Sequence, residues 1–160
     1  MNHHDTNCRF FRAGVGTVIY NDHHQVALFQ RANYPVGIWQ FQQGGIDQGE
    51  DITTTLWREL KEEVGLTKSD IETVTEMPQW TVYPTADALD NPDKSRLGQA
   101  HKWYFLKLKT SSTIDLSLAT DHEASDYKFV SFDEAITETE ELKQPVYQTL
   151  KRYFFDHLAE

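Results

Sequence analysis

The sequence predicts a mixed α/β domain, and three observations carry that prediction. Short β-rich runs recur along the chain, at residues 14–20 and 26–30 and again at 71–77, 80–83, 101–108 and 127–130. Between the two groups the period changes, because Leu56, Trp57, Leu60 and Val64 recur at helical spacing. A second helical stripe, Val146, Leu150, Phe154 and Leu158, lies at the end of the chain. No repeat, low-complexity tract or linker divides these elements, and 160 residues suffice to bury one core without a disulfide or a structural metal. The expectation is a single domain over residues 1–160, with residues 1–8 as a flexible terminus.

Residues 1–7 are polar, and His3 and His4 read as part of a frayed terminus rather than as metal ligands. The first two strands are separated by Asn21, Asp22, His23 and His24, a polar hairpin loop in which both histidines should be solvated. The helix that follows ends at Gly65, a residue suited to a left-handed C-terminal cap. A turn-rich insertion occupies residues 84–99, the kind of segment that often carries specificity. Ser131 and Glu134 stand at capping-box spacing and start a short helix before the last one.

Composition narrows the partners. Lys and Arg total 15 against 25 Asp and Glu, a net charge of −10, whereas proteins that track along nucleic-acid backbones carry a basic face. A nucleic-acid substrate would therefore be gripped at one end, without an extended track. Cys8 is the single cysteine and has no intrachain partner, and no run approaches the ~20 apolar residues of a membrane span. A reducing, cytoplasmic setting is the default expectation, with no membrane partner and a monomer or homodimer as the assembly. A tight acidic cluster suits a site that meets phosphates through divalent cations.

Glu59, Glu62 and Glu63 lie at i, i+3 and i+4, so a helix projects them from one face. Their mutual repulsion is tolerable either on a solvated acidic face or around a bound cation. The neighbouring residues decide between these. Gly44, five residues, Glu50, seven residues, then Arg58, Glu59, Leu60, Lys61, Glu62, Glu63, Val64, Gly65 and Leu66 match the Nudix box at all nine of its defined positions. At ordinary residue frequencies a chance match is on the order of one in a hundred million.

That resemblance implies the Nudix fold, an α/β (α+β) arrangement in which a mixed β-sheet is sandwiched between α-helices. It also implies a hydrolase of phosphoanhydride bonds that uses Mg²⁺, with Mn²⁺ as a substitute. Glu59, Glu62 and Glu63 would be the principal metal ligands, and Glu62, Glu63 or a residue outside the box the general base. Arg58 would pair with acidic residues to orient the site. Gly44 and Gly45 permit a tight turn and a close approach of backbone to phosphate or metal. Glu123 stands four residues before the 127–130 strand, where similar enzymes carry a metal-binding or basic glutamate, with Asp121 and His122 as neighbouring alternatives.

Residues 39–45 and 98–103 further resemble the bacterial RNA pyrophosphohydrolases and the related dinucleoside polyphosphate hydrolases. By that likeness Arg12 lies near the polyphosphate and Tyr83 near the nucleotide, while Arg31 and Lys102 offer charge-assisted phosphate contacts. Two departures stand out. Gln42 occupies a position where relatives usually have proline, and Leu142 stands beside Lys143 where the RNA-processing enzymes often present an aromatic ring. The missing ring removes a stacking surface of roughly 1–3 kcal/mol, and Lys143 itself reads as a solvated lysine with a weak claim to phosphate. The expected reaction is hydrolysis of a nucleoside 5′-polyphosphate end, either 5′-triphosphate RNA with release of pyrophosphate or a dinucleoside polyphosphate. Free nucleotides or nucleotide sugars are the alternative substrates, and a regulator that binds nucleotides without turnover is the alternative class. The complete set of Glu50, Arg58, Glu59, Glu62 and Glu63 argues against the regulator.

Overall fold

The computed structural model describes residues 8–91 and 93–159, so the expectations for residues 1–7, His3 and His4 included, lie outside the described residues. β1 (Phe10–Tyr20) and β2 (Val26–Arg31) form a hairpin. Asn21 Oδ1 holds its loop by accepting the backbone N–H groups of His23 and Gln25, each at 3.0 Å. His23 is exposed as expected, whereas His24 is half-buried, edge-on to Phe154.

The two strands pair only at Tyr20 and Val26 and then splay apart. The fork is filled by β3 (Trp39–Gln40) against β2 and by β4 (Gln42–Gly45) antiparallel to residues 14–17 of β1. Next come α1 (Ile52–Val64), β5 (Ile71–Pro84), the one-turn α2 (Ala86–Asp90) and β6 (Arg96–Leu108). β6 runs parallel to β1 and antiparallel to β5, and β7 (Ala124–Val130) pairs along β2. α3 (Phe132–Glu138) and α4 (Gln144–His157) complete a seven-stranded mixed sheet with helices on both faces.

The period-2 alternation of the strands divides the core in two. Val15, Ile19, Ala27, Phe29 and Leu106 face Leu56, Leu60 and Val64 of α1. Val18, Leu28, Phe41, Trp103 and Phe105 face Phe132, Tyr147, Leu150 and Phe154 of α3 and α4. Leu56, Leu60 and Val64 are at most 1 % exposed, which is worth roughly 1.5–3 kcal/mol each and fixes the roll of α1 about its axis. Trp57, expected in that stripe, is half-buried and lies under the Lys68 ammonium. Asp51 Oδ1 caps α1 by accepting the Thr54 N–H at 2.7 Å, and Gly65, at φ 78°, closes it on Leu60 and Lys61.

The strands are longer than the sequence pattern predicts. β5 crosses the expected gap at residues 78–79 with a bulge between Glu76 and Trp80, because Pro78 has no N–H to give the ladder. β6 begins at Arg96 rather than at 101, since its polar start pairs with both β1 and β5. The insertion thus shrinks to residues 85–95, with α2 inside it and Thr85 as its cap. No helix among the described residues is long and apolar enough to cross a membrane.

Candidate active site

β4 ends in Gly44 and Gly45, which point to opposite faces of the sheet. A Cβ on Gly44 would lie 2.3 Å from Glu59 Oε2, and one on Gly45 would lie 2.3 Å from Arg12 Nη2. Two bare backbone units therefore separate a carboxylate cluster on one side from an arginine on the other. Any side chain at either position would push one of them away.

Arg58 organises the acidic side. Its Nε and Nη2 donate to the two oxygens of Glu50 at 2.7 and 2.8 Å, and its Nη1 donates to Glu59 at 2.9 Å and Glu62 at 3.0 Å. Nη2 also donates to the Gly45 carbonyl at 3.2 Å and lies 3.4 Å from Asp47. This fork geometry is one that lysine cannot reproduce. The Arg58 bond, with the Thr55 hydroxyl behind it, holds the Glu50 carboxyl down at about 2, so Glu50 is an ionised partner of the arginine.

Glu59 and Glu63 behave differently. Burial raises the proton affinity of Glu59, against the opposing bonds from Glu63 and Arg58. Burial also pushes Glu63 up to about 9; the Gln42 amide opposes this, and the charges of Glu59 and Glu123 add to it. With only protein groups around them, burial disfavours the charged form of both carboxyls. A divalent cation would supply the balancing charge, and the all-carboxylate oxygen set of Glu59, Glu62, Glu63 and Glu123 suits Mg²⁺ or Mn²⁺. Glu62 and Glu123 are the more exposed members, their side chains 38 % and 44 % accessible.

Glu123 reaches the cluster through its backbone. The Asp121 N–H donates to the Glu62 carbonyl at 2.8 Å at the end of α1, and the Ala32 N–H donates to the Glu123 carbonyl at 2.8 Å. Arg31 then meets the Glu123 carboxylate at 3.4 Å. The result is a polar cleft of about 310 Å³, lined by Arg12, Arg31, Gly44, Gly45, Arg58, Glu59, Glu62, Glu63 and Glu123 from the sequence-predicted set. Gln99, His101 and Asp121 line it as well. Sequence reasoning assigned Gln99 and His101 no role; the signal for them is the β6 register, which sets Gln99 beside Arg12 and His101 beside Gly14. Burial, with the Lys143 and Arg12 charges nearby, holds His101 down at about 4, so its ring is neutral at pH 7.

Lys102 is a correction to the sequence reading. Next to His101 on a pleated strand, it points to the other face, where it donates to the Pro78 carbonyl at 2.7 Å and pairs with Glu76 at 3.1 Å. It closes the β5 bulge instead of lining the cleft. Tyr83 is buried behind the cleft, stacked on His101, with its hydroxyl accepting from Gln43 at 3.2 Å. Lys143 is 2 % exposed rather than solvated: it donates to Gln40 at 2.7 Å beside the rings of Tyr34 and Tyr83, and burial lowers it to about 8.

Comparison with known proteins places the sequence and the fold in one family. The NUDIX domain family matches residues 10–153. The RNA pyrophosphohydrolase of Francisella tularensis subsp. mediasiatica (strain FSC147) is 36 % identical over 151 residues, covering 93 % of this chain and 96 % of that protein. The RNA pyrophosphohydrolase of Pseudoalteromonas translucida (strain TAC 125) is 38 % identical over 147 residues, covering 90 % and 84 %. Among solved structures, the E. coli dihydroneopterin triphosphate pyrophosphohydrolase superposes with a TM-score of 0.72 over 92 % of this chain and 99 % of that chain; at 20 % identity this likeness concerns the fold alone. The chain belongs to the Nudix family and is a hydrolase acting on phosphoanhydride bonds.

Proposed function

We propose that the protein removes pyrophosphate from the 5′-triphosphate end of RNA in a Mg²⁺-dependent reaction, with dinucleoside polyphosphates as the nearest other substrates. The observation that carries this reading is the cleft lined by Glu59, Glu62, Glu63, Glu123 and Arg12 together, with bare backbone at Gly44 against Glu59 and at Gly45 against Arg12. Glu59, Glu62, Glu63 and Glu123 would hold Mg²⁺, or Mn²⁺ in its place. When bound, the ion supplies positive charge that neutralises the polyphosphate and stabilises the charge developing as a P–O bond breaks. Arg12 and Arg31 grip phosphate oxygens as planar forks. Arg58 keeps Glu59 and Glu62 in place, and Glu62, Glu63 or Glu123 takes the proton of the attacking water.

Relatives at 36 % and 38 % identity that are RNA pyrophosphohydrolases support the RNA end as substrate. A net charge of −10 supports a grip confined to that end. The test offers 5′-triphosphate RNA, diadenosine polyphosphates, free nucleotides and nucleotide sugars with Mg²⁺ and identifies both products. The expected result is pyrophosphate and 5′-monophosphate RNA. Preference for free nucleotides would overturn the substrate reading, and nucleotide binding without turnover of any of the four would favour the regulator.

A further inference from the structure

We propose that Gln42 is a positioning residue for Glu63: with Thr17 it forms a two-bond relay that pins one carboxylate oxygen and leaves the other to the cleft, so setting the affinity of the site for its divalent ion. This rests on the reading of Glu63 as a metal ligand. Thr17 and Gln42 are register partners on β1 and β4, 1 % and 4 % exposed. The Thr17 hydroxyl donates to Gln42 Oε1 at 2.6 Å, and Gln42 Nε2 donates to Glu63 Oε2 at 3.1 Å. With Glu63 ionised, as it would be when holding a cation, the relay has one polarity. An ionised carboxylate only accepts, so the amide must turn Nε2 toward it, which leaves Oε1 for the Thr17 hydroxyl; the flipped amide would set oxygen against oxygen.

The positions of the two residues separate their roles. Glu63 lies between two spaces, the open cleft and a small cavity of about 20 Å³ behind it, whereas Gln42 lines only the small one. Gln42 does not line the open cleft, and its side-chain bond to a residue that does is the one to Glu63. The segment around it is tied on both sides: Gln40 at the end of β3 by Lys143 at 2.7 Å, the Phe41 N–H by the Tyr147 hydroxyl at 2.8 Å, and Gln43 of β4 by Tyr83 at 3.2 Å. A donor on a segment so tied defines the orientation of the carboxylate it holds.

Partners behind a metal ligand typically change metal affinity 10–100-fold. The test titrates the whole protein with Mn²⁺, following free Mn²⁺ by electron paramagnetic resonance, and measures turnover against Mg²⁺ concentration for wild type, Gln42→Met, Thr17→Val and Thr17→Ser. Gln42→Met should weaken Mn²⁺ binding about tenfold and raise the Mg²⁺ needed for half-maximal rate in step, with KM for the polyphosphate at saturating Mg²⁺ unchanged. Thr17→Val should fall between, and Thr17→Ser, which keeps the hydroxyl, should match wild type. Unaltered Mn²⁺ affinity and Mg²⁺ dependence in Gln42→Met and Thr17→Val would overturn the relay. Should Gln42→Met fail to fold, the contrast of Thr17→Val with Thr17→Ser decides alone. A wild type that turns over without binding Mn²⁺ would instead overturn the metal-ligand reading on which the relay rests.

Discussion

Replacing Gly44 by alanine should cost activity well below the melting temperature, beyond what its loss of stability explains. The added Cβ would sit 2.2 Å from Glu59 Cδ and 2.3 Å from Oε2, about 1.1 Å short of the 3.4 Å at which such a contact becomes ordinary. Glu59 cannot swing clear without loss, because it is 9 % exposed and its Oε1 is held by Arg58 at 2.9 Å. A ligand displaced by ~1 Å costs on the order of 100-fold in rate, which is about 2.7 kcal/mol of barrier. Overpacking itself costs roughly 1–3 kcal/mol, a fall in Tm of about 2–4 °C for each kcal/mol in a chain of this size. The matched control is Gly37→Ala: at φ 95° the new Cβ meets no atom within 4 Å, so it brings backbone strain with no contact to Glu59. The assay is kcat at saturating Mg²⁺ and substrate, well below both melting temperatures, beside a thermal melt of each variant. If Gly44→Ala keeps kcat within threefold of wild type, or loses no more than Gly37→Ala does, the placement of Glu59 against the glycine backbone has no catalytic role.

Three further outcomes are expected. Glu62→Gln should lower kcat far more than Tm, because it removes a ligand charge from a partly exposed helix face; unchanged turnover and Mg²⁺ dependence would refute its assignment. Burial, then the Glu59 charge, raises Glu63 from 4.5 to about 9, so its contribution to stability is complete below pH 4.5 and is lost as pH rises toward 9. In chelator, Tm should therefore decline across that window, and Glu63→Gln should flatten the decline; an equal slope in the variant would show that another group is responsible. Lys102→Met should leave KM for the polyphosphate unchanged while lowering Tm, since its ammonium is committed to Pro78 and Glu76; a tenfold rise in KM would return it to the substrate site.

The residues legible in sequence are those whose spacing carries the chemistry. Glu59, Glu62 and Glu63 share a helix face by period alone, and Leu56, Leu60 and Val64 bury the opposite stripe. Gly65 and Ser131 announce their caps because a backbone N–H or a positive φ must be satisfied within a few residues. Lys102 and Lys143 were misread for a shared reason. A basic residue beside a nucleotide motif invites a phosphate role or a solvated one, yet the strand parity of Lys102 turns it to the other face, and the packing around Lys143 desolvates it.

Local order along the chain, then, determined the family and the helix that carries Glu59, Glu62 and Glu63 on one face, because those depend on residue types at fixed short spacings. Only the tertiary structure decided what surrounds that helix. The splayed hairpin that admits β4, the parallel return of β6 beside β1, and the loop that hangs Glu123 on the end of α1 are pairings between residues tens of positions apart. Such pairings are set by burial and hydrogen-bond satisfaction of the whole chain, and no local pattern records them. For that reason Arg58 could be assigned from sequence as the organiser of the carboxylates, while Thr17 and Gln42, 25 residues apart, became visible only once the sheet laid them side by side.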